Sequence, residues 1–213
     1  MRLMRRAVSD DHKDQRRAAL LQAALDEFFE KGFSAARMGD IARRAGLSKG
    51  AVYLYFDSKE ALFRDLIESR ISPNVAAMAA IADGAVSIRQ ALDAMAAFGQ
   101  QLIQTSDMPR VLKVLVGDAH TFPQLVADYR VNVIERILGI IAGVLGAAAE
   151  RGEIQLSGPP MLAARLVVAP FAMSGVWQAV FSADPKAAVD LETLFAMHAT
   201  HMRRAFGLKE DAP

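Results

Sequence analysis

The chain has 213 residues, 53% of them hydrophobic and 23% charged, a balance that indicates a folded globular protein and argues against disorder. It has no cysteine, which fits a reducing cytosol and excludes disulfides, cysteine nucleophiles and cysteine zinc sites. A polar run, 9–17, follows the basic start, and the longest charge-free apolar runs cover only 137–149 and 166–177, so we expect a cytoplasmic protein without a secretory signal or a membrane span.

The net charge of +1 is unevenly distributed along the chain. Residues 1–70 hold 14 lysines and arginines against 11 acidic residues, or +3, and residues 71–213 hold 11 against 13, or −2. A local basic footprint on a near-neutral chain favours a specific DNA-binding regulator over a general nucleic-acid coat.

The first helix is predicted from about His12 to Lys31. Its buried stripe follows helical spacing and consists of Leu21, Ala24, Leu25 and Phe28. Gly32 suits the residue after the helix end. Residues 1–11 lack an apolar period and are interpreted as a flexible basic arm, either frayed or in contact with phosphates.

Residues 38–56 predict two short helices joined by a tight turn. Ile41, Ala42 and Ala45 give the first helix, 38–45, one apolar face, and Gly46 suits a positive φ in the turn. Ser48 is a candidate N-cap of a second helix that runs from Lys49 to about Phe56. The face opposite the buried Val52 and Phe56 presents Lys49, Gly50, Ala51, Tyr53 and Tyr55. This pattern is typical of a helix-turn-helix.

The remainder of the chain is predicted to be helical, without strand-like alternation. Ser58 is a candidate cap of a fourth helix that reaches about Met78, with Pro73 kinking it or ending its first part. Five further helices are predicted at 88–105, 109–120, 123–151, 160–182 and 187–206.

The chain resembles the TetR family of bacterial transcriptional regulators. The matching pieces are LLQAALDEFFEKGF (20–33), DIARRAGLSKGAVYLYF (40–56) and SKEALF (58–63). HTFPQLVADYR (120–130) and ERGEI (150–154) are similar to the AefR-like C-terminal domain of that family. The resemblance implies an all-α protein of about nine helices, with a three-helix helix-turn-helix domain at 1–70 and a larger ligand-binding and dimerisation domain at 71–213.

The resemblance implies that the helix-turn-helix reads double-stranded operator DNA. Gly50 costs a helix roughly 1 kcal/mol relative to Ala. Close approach of the helix to the DNA groove would explain a glycine at this position. Ala51 can touch a thymine methyl. Lys59 resembles the family's phosphate-contacting lysine, and Arg37 stands where relatives usually carry a Thr or Ser cap. Arg44 is either a DNA contact or a solvated charge, and the tyrosines either bond phosphates or pack the domain. The expected DNA-binding residues are Arg37, Arg44, Ser48, Lys49, Gly50, Ala51, Tyr53, Tyr55 and Lys59.

The second domain is expected to bind a small hydrophobic ligand and to form a homodimer. The candidate ligand-binding residues, each of which could instead be ordinary core, are Met95, Phe98, Leu102, His120, Phe122, Tyr129, Phe171, Met173 and Trp177. Asp118 and Arg130 are further candidate polar groups for orienting a ligand. The resemblance implies that the last two helices meet a two-fold mate, and the candidate dimerisation residues are Leu162, Leu166, Leu191, Phe195 and Met202.

The predicted function is that of a repressor released from a palindromic operator by its ligand. Neither catalysis nor a cofactor is expected, because the chain has no P-loop, dinucleotide fingerprint, nucleophile elbow or HExxH motif. His198 and His201, three residues apart, are either a partial metal site or a packed face. The alternatives are a ligand-independent or corepressor-dependent regulator, an activator, and an architectural DNA-binding protein, which the near-neutral second domain argues against.

Overall fold

The computed structural model describes the backbone of residues 2–208 and the side chains of residues 12–208, and within that part of the chain it contains helices and no strand. The DNA-binding region comprises α1 (Arg2–Lys31), α2 (Met38–Arg44) and α3 (Lys49–Tyr53). Helix α4 (Lys59–Arg70) completes this region. The helices that follow are α5 (Ser72–Gly84), α6 (Ile88–Thr105), α7 (Met108–Gly117), α8 (Pro123–Glu150), α9 (Pro160–Phe181) and α10 (Leu191–Ala205). Only Ile71 separates α4 from α5, and with that pair counted as one helix the described chain has nine. The predicted all-α architecture is confirmed.

Several predicted helix boundaries were wrong. Helix α1 begins at Arg2, ahead of the predicted start at His12, so the backbone of the predicted arm is helical, while the side chains of residues 1–11 lie outside the described ones. Helix α4, by contrast, stops at Arg70 and Pro73 lies in the first turn of α5, where its missing N–H costs nothing, so of the two outcomes predicted for Pro73 the ending of the first part is the one observed. Helix α10 begins at Leu191, not near 187, because the Asp190 side chain accepts a hydrogen bond from Thr193 N at 3.0 Å.

One hydrophobic core joins the DNA-binding region to the second domain. Leu20, Phe28 and Phe33 pack there with Leu62 and Phe63 of α4. The same cluster includes residues from α7 and α8, namely Val111, Val114, Leu115, Leu125, Tyr129 and Val133. The α1–α4 unit therefore rests on α7 and α8 across a shared apolar interior. A second core lies between α5, α6, α8 and α9.

Helix α8 contains a π-helical segment, Arg130–Ile134, between two α-helical stretches. Such one-turn widenings of a helix occur often at functional sites. Both α8 and α9 are long and apolar enough to cross a membrane by length and composition alone, a test that core helices of soluble proteins also pass. Here both helices contribute to the second core.

Candidate DNA-binding surface and ligand cavity

Local hydrogen bonds fix α3 against α2. Gly46 adopts a φ of 69°, as predicted, and Leu47 N donates to Ala42 O at 2.9 Å, which closes the turn. The Ser48 hydroxyl caps α3 by accepting a hydrogen bond from Ala51 N at 3.2 Å. Val52 is fully buried. The opposite face of α3 must therefore point away from the core.

That outward face carries the predicted reading residues. Ser48, Lys49 and Gly50 are exposed, Tyr53 is 45% exposed, and a side chain built at Gly50 would meet nothing within 4 Å. Ala51 is half-buried, and so is Tyr55, which packs against the first core as the alternative interpretation foresaw. Leu54, which was not among the predicted contacts, is 84% exposed on the same surface. In the sequence, Leu54 lies outside the face formed by Val52 and Phe56, and this position could have indicated its exposure.

The ammonium group of Lys59 is held by contacts within the protein. Its ammonium group donates to Phe33 O at 2.5 Å and to Ser34 O and Ala36 O, each at 3.1 Å. It also lies 4.6 Å from the centre of the Phe33 ring. Burial lowers the pKa of Lys59. Lys59 therefore ties down the α1–α2 loop (32–37), a structural role that the sequence did not predict.

The two arginines expected at the DNA surface, Arg44 and Arg37, differ in their contacts. Arg44 turns back onto α1, where its Nη1 and Nη2 reach the Glu30 carboxylate at 2.9 and 2.5 Å, and the buried Glu27 lies 3.3 Å away. The paired guanidinium lowers the pKa of Glu30. Arg44 is thus a bridge between α2 and α1 and not a plainly solvated charge. Arg37 is exposed and makes no side-chain cap to α2.

The second domain holds the other side of the α1–α2 loop. The Asp118 carboxylate, at the end of α7, accepts hydrogen bonds from Phe33 N at 2.7 Å, Ser34 N at 3.1 Å and the Ser34 hydroxyl at 2.6 Å. Phe122 packs edge-on against Phe33, with ring centres 4.6 Å apart. Asp118 and Phe122, both considered as ligand contacts, therefore contact the DNA-binding region instead.

A second connection between the domains lies at the start of α8. The Arg64 Nε of α4 donates to the Asp128 carboxylate at 3.2 Å, and Gln124 donates to the same group at 2.8 Å. These hydrogen bonds, that of Gln124 first, lower the pKa of Asp128. The start of α8 is thus tied to α4, and the loop before α8 is tied to the α1–α2 loop.

A cavity of about 170 Å³ lies between α5, α6, α7, α8 and α9. Of the predicted ligand-binding residues, four line it, namely Met95, Leu102, Tyr129 and Phe171. Phe98, Met173 and Trp177 are not among its lining residues, and His120 is exposed in the turn after α7. Met173 and Trp177 border an open cleft of about 750 Å³ beside α1 and α7. Arg130, a further candidate for orienting a ligand, pairs with Glu135.

The predicted dimerisation residues fall into two groups. Leu162 and Leu166 of α9 are 57% and 65% exposed. Leu191 and Phe195 are buried within the protomer, where the Phe195 ring stacks on Phe171 with centres 4.4 Å apart, and Met202 packs against the second core. These three are therefore unsuited to a contact between protomers. The sequence could not separate the two groups because both lie on apolar helix faces.

His198 packs within the protomer. Its Nε2 lies 2.9 Å from Val167 O, and its ring meets Phe171 edge-on. Among the residues that the structure describes, no group of three or more His, Cys, Asp or Glu side chains could hold a metal ion.

Two family models match the chain. The model described as bacterial regulatory proteins, tetR family, matches residues 20–66, and that of the AefR-like transcriptional repressor C-terminal domain matches residues 90–209. Both matches agree with the resemblance found in the sequence.

Individual relatives match over part of their length. The uncharacterized HTH-type transcriptional regulator YfiR of Bacillus subtilis is 47% identical over 62 residues, 29% of this chain and 30% of that protein. The HTH-type transcriptional activator FasR of Mycolicibacterium smegmatis is 28% identical over 149 residues, 67% of this chain and 66% of that protein. The chain thus spans from about a third to just under two thirds of the length of these relatives.

Solved structures share the fold over nearly the whole chain. FadR from Bacillus subtilis, in complex with stearoyl-CoA, has a TM-score of 0.72 at 17% identity, covering 89% of this chain and 98% of that one. NalD, the secondary repressor of the MexAB-OprM efflux pump in Pseudomonas aeruginosa, also has a TM-score of 0.72, at 22% identity, covering 92% and 97%. At such identities the likeness concerns the fold.

The contacts of Lys59 and Lys49 predict that the same substitution has a large effect on stability at Lys59 and a small one at Lys49. Lys59→Met removes the three hydrogen bonds to the carbonyls of Phe33, Ser34 and Ala36, two of them in part-buried surroundings, and should lower the free energy of unfolding by about 2 kcal/mol. Lys49→Met removes an exposed charge and should change it by less than about 0.5 kcal/mol. Urea unfolding of both variants measures the difference. Equal stability of the two would contradict a structural role for Lys59.

Proposed function

The chain belongs to the TetR family of bacterial transcriptional regulators, and from this premise we propose that it is a cytoplasmic homodimeric repressor that leaves a palindromic operator when a small hydrophobic molecule fills the cavity. The matching families are those of transcriptional regulators, not enzymes. The outward face of α3 carries the proposal, because it is exposed while the other face of that short helix is buried.

We assign the reading of DNA to Lys49, Gly50, Ala51, Tyr53 and Leu54. Lys49 reaches a phosphate or a guanine edge, and the missing side chain of Gly50 lets the helix approach the groove floor. Tyr53 reaches a phosphate, and Leu54 and Ala51 offer apolar surface to thymine methyl groups. Ser48 holds the N-terminus of α3, and Arg37 is free to approach the backbone beside it.

The exposed apolar stripe of α9 supports a two-fold dimer. Its members recur at spacings of three, four and seven residues and are Leu162, Leu166, Met173, Trp177 and Val180. Met197 of α10, 54% exposed, extends the apolar surface. Two copies of these helices would form a four-helix bundle and set the two α3 helices about one duplex turn apart, which palindromic half-sites require.

The contacts at the start of α8 support a route from ligand to DNA. Tyr129 and Val133 line the cavity, while Asp128 pairs with Arg64 of α4 and Phe122 packs on Phe33. A ligand that displaces this part of α8 therefore moves the groups that hold α4 and the α1–α2 loop. It releases the operator only to the extent that it binds the displaced arrangement more tightly.

Selection of bound fragments from genomic DNA by the full-length protein tests the reading of DNA. We expect enrichment of a short palindrome, and Lys49→Ala or Tyr53→Ala should weaken binding to it about tenfold. Lys186→Ala, which removes a lysine from the 3₁₀ turn Pro185–Ala187 in the second domain, is the matched control and should keep the affinity. Equal recovery of unrelated sequences would instead favour an architectural DNA-binding protein.

The dimer surface is tested by a charge placed in the middle of the α9 stripe. Leu166→Glu should convert the dimer into a folded monomer at micromolar concentration, because a carboxylate would be buried between apolar faces. Val86→Glu places the same charge at a 91% exposed apolar position outside the stripe and should leave the dimer intact. Sedimentation equilibrium measures both. A dimeric Leu166→Glu protein would place the interface elsewhere.

A further inference from the structure

Among the described residues that line the cavity, one side chain is a strong hydrogen-bonding group. Its described lining residues include no charged group, and they are chiefly aliphatic residues and the methionines Met78, Met95 and Met108. The phenolic hydroxyl of Tyr129 is the exception. A dry apolar cavity of about 150 Å³ takes one benzene-sized ring, so the 170 Å³ present here suits a compact molecule.

Among the described residues, the Tyr129 hydroxyl has only a weak acceptor. Tyr129 is 5% exposed, and its hydroxyl donates to the Met108 sulfur at 3.2 Å. A thioether is a weak acceptor, and a buried donor without a good partner is costly. Burial also raises the pKa of Tyr129, so the group keeps its proton at neutral pH. The cavity thus presents one poorly satisfied O–H.

The lack of charged groups among the described lining residues limits which molecules can bind in the cavity. A carboxylate or an ammonium group would lose its hydration and meet no opposite charge among the described lining residues. A neutral molecule avoids that penalty, and one with a carbonyl or ether oxygen also gives the Tyr129 hydroxyl the partner that it lacks.

Resting on the proposed function, we propose that the ligand of this cavity is an uncharged, compact apolar molecule with one hydrogen-bond acceptor, and that the Tyr129 hydroxyl selects it by donating to that acceptor. Tyr129 directly follows Asp128, which pairs with Arg64 of α4. The group that recognises the ligand and the group that contacts the DNA-binding region therefore share one turn of α8.

Three probes of nearly equal shape test the proposal. Acetophenone is neutral with a carbonyl acceptor, cumene replaces the carbonyl oxygen with a methyl group, and benzoate carries a charge. Their affinities for the full-length protein and for Tyr129→Phe are measured by titration calorimetry. The aromatic ring is retained in Tyr129→Phe, and cumene reports whether the cavity is intact in the variant.

We expect acetophenone to bind the unaltered protein and benzoate to bind at least a hundredfold more weakly. In Tyr129→Phe the affinity of acetophenone relative to cumene should fall about tenfold, while that of cumene changes less than twofold. Met108→Leu removes the competing sulfur and should strengthen acetophenone binding. An unchanged ratio in Tyr129→Phe, benzoate binding as tight as that of acetophenone, or no binding of acetophenone would each overturn the proposal.

The same proteins distinguish this proposal from the proposed function. Binding of the selected operator is measured with and without saturating acetophenone. A Tyr129-dependent preference without operator release would sustain the ligand class and refute ligand-induced release. Operator binding without any preference for acetophenone would refute the ligand class and leave the DNA-binding function standing.

Discussion

The α1–α2 loop (32–37) is held between two charged groups, and the placement of the helix-turn-helix depends on it. On one side the Lys59 ammonium donates to three loop carbonyls, and on the other the Asp118 carboxylate accepts from two loop amides and a hydroxyl. Hydrogen bonds to charged groups contribute about twice as much as neutral ones. Lys59 comes from the DNA-binding region and Asp118 from the second domain, so both domains hold the loop in place.

This arrangement supports the proposed route from the cavity to α3. The first core continues from α1 and α4 into α7 and α8, and Tyr129 belongs both to that core and to the cavity lining. Closely packed interiors do not deform gradually. A shift of the π-helical segment Arg130–Ile134 would therefore be passed on to Phe122 and Asp118 at the loop and to Asp128 at α4 rather than absorbed locally.

The local features of the fold could be predicted from sequence, and the long-range ones could not. The turn at Gly46, the caps at Ser48 and Ser58 and the buried stripe of α1 depend on neighbours in the chain, and all are confirmed. The contacts that Lys59, Arg44 and Asp118 make within the protein were not predicted, because a charged residue in a basic segment or near a cavity has the same sequence signature whether it meets a ligand or a partner elsewhere in the chain. Asp118 and Ser34 are 84 residues apart. The sequence named Tyr129 as a candidate ligand-binding residue. That it is the one hydroxyl among the described lining residues could not be predicted, because five helices together form the cavity.

Amide hydrogen exchange in Asp118→Ala tests the central claim that the second domain holds the reading helices through this loop. Asp83→Ala, which removes an exposed carboxylate at the end of α5, is the control. The account predicts exchange about tenfold faster at Phe33 and Ser34 and faster exchange throughout α2 (Met38–Arg44) as well. Acceleration confined to Phe33 and Ser34, with α2 unchanged, would contradict it, because the Asp118 contacts would then order two residues without positioning the helix-turn-helix.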